Sequence, residues 1–77
     1  MILKTETQRI NFTIEVEQEE DGRWIAEVLE LPGVLAYGET AKEAMTRAQA
    51  LGLRVVADRI ERNEETTAFT TISFAAA

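Results

Sequence analysis

The chain has 77 residues, no cysteine, no histidine and a net charge of −6. That excludes disulfide staples, a Cys/His zinc site, and every nucleophile-histidine arrangement; the acidic balance argues against direct nucleic-acid binding. Eleven of the apolar residues are alanines, so the large side chains available for burial barely offset the entropy of ordering the backbone. Oligomerisation is the remaining remedy for so small a core, and a dimer or tetramer is expected on energetic grounds.

Met1 to Gln8 carries little pattern and reads as a frayed terminus or the start of a strand. Arg9 to Glu17 alternates: Ile10, Phe12, Ile14 and Val16 share one face, Asn11, Thr13, Glu15 and Glu17 the other. This predicts a strand with one buried and one wet face. Asn11-Phe12-Thr13 matches the glycosylation triplet but follows no secretion signal, so it reads as chance. Asp21-Gly22 predicts a hairpin turn.

Arg23 to Leu29 predicts a second strand, with Trp24, Ala26 and Val28 on one face and Ile25 and Leu29 on the other. Val34 to Tyr37 predicts a third, of the same two-faced apolar kind. One helix covers one face of a small sheet, so the second face calls for a partner subunit or a bound protein. Between these strands, Leu31-Pro32-Gly33 predicts a corner, with Pro32 restricting Leu31 and Gly33 taking positive φ. Gly38 then lets the chain leave the sheet.

Thr40-Ala41-Lys42-Glu43 reads as a capping box, opening a helix from about Ala41 to about Arg62. Ala41, Ala44, Met45, Ala48, Leu51, Gly52, Val55 and Val56 form its apolar stripe. Within it, Ala44, Ala48 and Gly52 make a ridge of small residues. Gly52 implies either close approach of helix to sheet or a kink. Glu43–Arg47 and Asp58–Arg62 are i,i+4 pairs on the outer side. Asn63-Glu64-Glu65 ends the helix, and Thr66 to Phe74 predicts a fourth strand at a sheet edge. The last three alanines read as an untethered tail. The expected fold is α+β in the order β-β-β-α-β: one domain spanning 1–77, a small antiparallel sheet with one long helix packed on it.

Chemistry is sparse. Glu15, Glu17 and Glu27 could share the wet face of the first hairpin and hold Mg²⁺; a solvated face that discourages edge aggregation is the simpler reading. No phosphate loop is present, and neither catalysis nor a cofactor or metal is expected. Interface candidates are Trp24, Ile25, Leu35, Tyr37 and Leu53, with core packing the competing role for Trp24 and Tyr37.

The central stretch resembles the HicB-like antitoxin family. The likeness lies in Asp21-Gly22, Trp24-Ile25-Ala26-Glu27-Val28, Glu30-Leu31-Pro32-Gly33-Val34 and Tyr37-Gly38-Glu39-Thr40-Ala41-Lys42-Glu43-Ala44. It spans roughly residues 10 to 60. The resemblance implies a partial ribonuclease-H-like fold without its catalytic carboxylates. It also implies a cytoplasmic, bacterial-type role in a toxin-antitoxin system: binding and neutralising a small basic HicA-type toxin that cuts messenger RNA. Many members carry a C-terminal DNA-binding segment. This sequence ends after its fourth strand, so no DNA binding is expected of it. The alternative is a stand-alone homo-oligomeric regulatory or scaffold domain of the same fold with no toxin partner. No membrane association is expected, since no apolar run is long enough to span a bilayer.

Overall fold

The computed structural model describes residues 7–62 and 69–77, with side chains for 9–62 and 71–77. The frayed start expected over most of Met1 to Gln8, the helix stop at Asn63-Glu64-Glu65 and the opening of the last strand at Thr66 lie outside the described residues.

The chain is α+β: β1 (Thr7–Gln18), β2 (Trp24–Val28), β3 (Leu35–Gly38), α1 (Ala41–Glu61) and β4 (Phe69–Ala76). The four strands form one sheet in the order β3-β2-β1-β4. β1 is antiparallel to β2, and β2 to β3. β4 runs parallel to β1, so the sheet is mixed and not purely antiparallel as expected. The parallel direction follows from the connection, because a strand–helix–strand crossover returns the chain in the direction of β3.

The final alanines are not a loose tail. Ala75 and Ala76 pair with Thr13 and Ile14 inside β4, and the Ala77 N–H donates to the Ile14 carbonyl at 2.9 Å. Alanine is a poor strand former, which hides this extension from a propensity reading. The ladder offered by β1 supplies the pairing instead.

β1 is longer than its neighbours and pairs in two stages. Thr7 to Ile14 face β4, while Ile14 to Gln18 face β2. Only Ile14 belongs to both ladders, so the sheet is stepped. At the step, the Leu29 N–H donates to the Thr13 carbonyl.

The two turns obey their sequences. At the β1–β2 hairpin the Glu19 N–H donates to the Arg23 carbonyl and the Gly22 N–H to the Glu19 carbonyl. Gly22 stands at φ +92°, the left-handed position of a three-residue hairpin loop. At the corner the Val34 N–H donates to the Leu31 carbonyl, with Gly33 at φ +85°. Proline followed by a positive-φ glycine is a type II turn. This turn pushes Leu31 into the core, where it is 2% exposed and, with Val28, the largest fully buried side chain.

The core lies between α1 and one sheet face. Phe12, Ile14, Ala26, Val28, Leu31 and Val34 meet Ala44, Ala48 and Val56. Ile10, Val16, Trp24, Ala36, Ile72 and Phe74 pack around them, and the Phe12 and Phe74 rings lie 5.3 Å apart. Ala44, Ala48, Gly52 and Val56 form the buried seam of α1. The helix assignment runs unbroken through Gly52. Close approach does not by itself demand glycine there: a Cβ would meet the Phe74 ring at 3.5 Å and Leu31 Cδ1 at 3.6 Å, ordinary van der Waals contact. Gly38 is different. A Cβ there would come within 2.5 Å of the Ala44 backbone nitrogen, so the strand end abuts the helix and only glycine fits.

Thr40 caps α1, its Oγ1 accepting from the Glu43 N–H at 3.0 Å. The reciprocal bond of the expected capping box is displaced by one residue: Glu43 Oε1 accepts from the Glu39 N–H, not from that of Thr40. Both expected ion pairs form, Glu43–Arg47 and Asp58–Arg62, each at 3.2 Å. Among the described residues no helix is long and apolar enough to cross a membrane.

Candidate functional site

Alternation fixes which side chains face away from α1. Phe12, Ile14, Ala26 and Val28 are buried under the helix, so Glu15, Glu17, Ile25, Glu27, Leu35 and Tyr37 stand on the opposite face. Register brings them together. Glu15 lies directly opposite Glu27, Glu17 opposite Ile25, Ile25 opposite Tyr37, and Glu27 opposite Leu35. Glu15, Glu17, Ile25, Glu27 and Leu35 line a shallow open depression of about 140 Å³. That is well below the roughly 300–1,000 Å³ of a small-molecule pocket.

Of the five interface candidates, three therefore share one surface: Ile25 half-buried, Leu35 and Tyr37 each 38% exposed. Trp24 lies on the other face, packed half-buried against the core. Leu53 sits on the outer side of α1, 41% exposed and apart from both. Among the described residues no group of three or more acidic side chains is placed to hold a metal ion. Glu15, Glu17 and Glu27 share a face without converging on a point.

On the same face, Tyr37 is held by contacts that the sequence pattern does not show. The Arg23 guanidinium lies 4.5 Å above the Tyr37 ring, an attraction between a cation and the negative ring face. Arg23 in turn pairs with Asp21, Nε to Oδ2 at 2.8 Å, while Asp21 Oδ1 accepts from the Arg23 N–H. That backbone bond, followed by the side-chain bond, holds the Asp21 carboxyl below its ordinary range. Arg47 of α1 donates to the Tyr37 carbonyl at 2.9 Å. The signal was available for Arg23: it precedes Ile25 by two and so shares its face. Nothing local announces Arg47, which reaches Tyr37 only because the helix folds back over β3.

With Arg23 engaged by Asp21, the face is acidic on the β1 and β2 side, at Glu15, Glu17 and Glu27, and apolar toward the β3 edge, at Ile25, Leu35 and Tyr37. The Glu15–Glu27 pair has a cost, since like charges directly opposite each other on neighbouring strands repel. A basic side chain placed between them would relieve it. Comparison with models of protein families, with curated proteins and with solved structures finds no match.

Proposed function

We propose that this chain is an antitoxin-like protein-binding module, working in the cytoplasm without catalysis of its own, that neutralises a small basic messenger-RNA-cleaving ribonuclease of the HicA type. One observation carries the reading: the mutually repelling Glu15 and Glu27 stand on the face turned from the helix, beside half-buried Ile25 and the exposed Leu35 and Tyr37 of the β3 edge. Such a surface offers apolar area with an aromatic anchor, Tyr37, and places carboxylates beside it. These charges select a basic partner and speed its encounter. The chain's net charge of −6 acts in the same direction over longer range. The sequence resemblance supplies the class of partner.

The test is reconstitution. The small basic product of the reading frame beside this gene is purified, and its cleavage of messenger RNA is measured with and without an equimolar amount of this chain. Inhibition that Leu35→Asp abolishes and Leu53→Asp leaves intact supports the reading. Undiminished cleavage in the presence of excess chain, or a neighbour lacking ribonuclease activity, overturns it.

A further inference from the structure

We infer that a second copy of this chain adds to the free edge of β4, joining two four-stranded sheets into one eight-stranded sheet across a two-fold axis at Ser73. The site is separate from the acidic face, and the inference does not depend on what binds there.

The two edges of the sheet are built differently. β3 has four residues. The Val28 N–H donates to the Val34 carbonyl, so alternation turns the main-chain groups of Leu35 and Tyr37 outward. The Tyr37 carbonyl is taken by Arg47. That edge is short and partly closed. β4 has eight residues in unbroken register with β1 and, among the described residues, no strand on its other side. Natural sheets protect such an edge with charge, proline, a bulge or a cover. No charged residue, proline or glycine occurs from Thr66 to Ala77, and the register contains no bulge.

The step in β1 sharpens the point. β4 pairs only with the half of β1 that β2 has left. Around Asn11 and Ser73 the structure is thus a two-stranded parallel ribbon, an arrangement marginal by itself. The helix packs chiefly on β2 and β3, leaving Ile72 and Phe74 half-covered on its side of the ribbon. Another strand with an apolar flank supplies what this edge lacks.

Charge selects the occupant. A basic ribonuclease has nothing to read on a neutral edge, whereas two copies of this strand bring no like charges into the seam itself. Geometry selects the register. The Ala77 N–H bonds to the Ile14 carbonyl, so odd-numbered residues of β4 turn their main chain toward β1, and Thr70, Ile72, Phe74 and Ala76 turn theirs outward. An antiparallel two-fold pairing that uses all four sets Thr70 against Ala76 and Ile72 against Phe74. Ser73 then faces its own copy, and the self-complementary contact closes at two chains. Each Ile72 side chain lies beside the Phe74 ring of the other copy on the helix side.

Ser73 is exposed and would occupy a non-hydrogen-bonded pair, with Cα atoms about 4.5 Å apart, inside the range a disulfide spans. The chain has no cysteine of its own, so Ser73→Cys is a clean probe. Light scattering of the unmodified protein should give twice the chain mass. Mild oxidation should convert Ser73→Cys to a covalent dimer in high yield at a concentration where Thr46→Cys, on the exposed side of α1, forms no disulfide-linked dimer. Ser73→Lys and Ser73→Glu should each lose the dimer while keeping the circular dichroism of the folded chain, and mixing them should restore it as a heterodimer. A monomeric mass for the unmodified protein, cross-linking of Ser73→Cys no faster than of Thr46→Cys, or a dimer indifferent to charge at Ser73 would each overturn the inference.

Discussion

Glu30 reaches back from the β2–β3 corner and grips Thr13 with both carboxylate oxygens, one accepting the Thr13 N–H at 2.7 Å and the other the Thr13 hydroxyl at 2.8 Å. The contact sits where β2 stops covering β1, and a side chain replaces the missing strand. A carboxylate does this well because it accepts two bonds at once and its charge strengthens both. The backbone bond first, then the hydroxyl, holds the Glu30 carboxyl below its ordinary value.

A depressed carboxyl contributes stability that is present above its unfolded value, near 4.5, and is lost as pH falls through the folded value. The urea midpoint of the wild-type chain should therefore fall faster below that pH than the midpoint of Glu30→Gln, with the two curves converging in acid. Parallel curves would show that the Thr13 grip does not contribute to folding.

The two helix-side glycines should respond in opposite ways. Gly52→Ala adds a methyl group that the structure accommodates and removes a helix-interior glycine, so it should stabilise by about 1 kcal/mol. Gly38→Ala drives a Cβ into the Ala44 and Glu43 backbone and should destabilise by about 1–3 kcal/mol. Denaturant melts of the two variants side by side check both signs.

Trp24 packs on the core under α1 without being fully enclosed. Trp24→Ala should cost about 2–3 kcal/mol, less than the roughly 3–5 of a fully buried aromatic, and leave the mass of the assembly unchanged. A shift in mass with little loss of stability would make the ring an interface anchor instead.

Removing one half of the Glu15–Glu27 opposition should separate stability from function. Glu27→Gln should raise the urea midpoint slightly while lowering the association rate with a basic partner and the salt dependence of that rate. A lower midpoint together with an unchanged association rate would mean that the pair serves the fold alone.

How much of this was legible depended on range. The Pro32-Gly33 turn, the Thr40 cap and the α1 seam are set by neighbours within a few residues, and they stand where pattern places them. The acidic face was legible in part. Alternation gave Glu15, Glu17 and Glu27 a common side, but only register sets Glu15 against Glu27, and an unpaired strand carries no register. Trp24 shows the same limit from the other direction: its strand is apolar on both faces, so alternation alone does not say which one the helix takes. Glu30 and Arg47 act on residues 17 and 10 positions away, beyond any local rule. The alanine end of β4 was misread because its strand character comes from β1 and not from its own side chains.

The Ser73 hydroxyl donates to Asn11 Oδ1 across 62 residues of chain, and every rung of the β1–β4 ladder spans a comparable separation. By contrast, the β1–β2–β3 meander closes through short loops. Loop-closure entropy places such distant pairing late on the folding route. The meander and α1 can assemble while the uncharged last strand is still unattached, and in that interval it is the segment most open to wrong pairing. Refolding yield should accordingly fall as chain concentration rises, and a single charge at Ser73 should recover it even though the native ladder gains nothing from that charge.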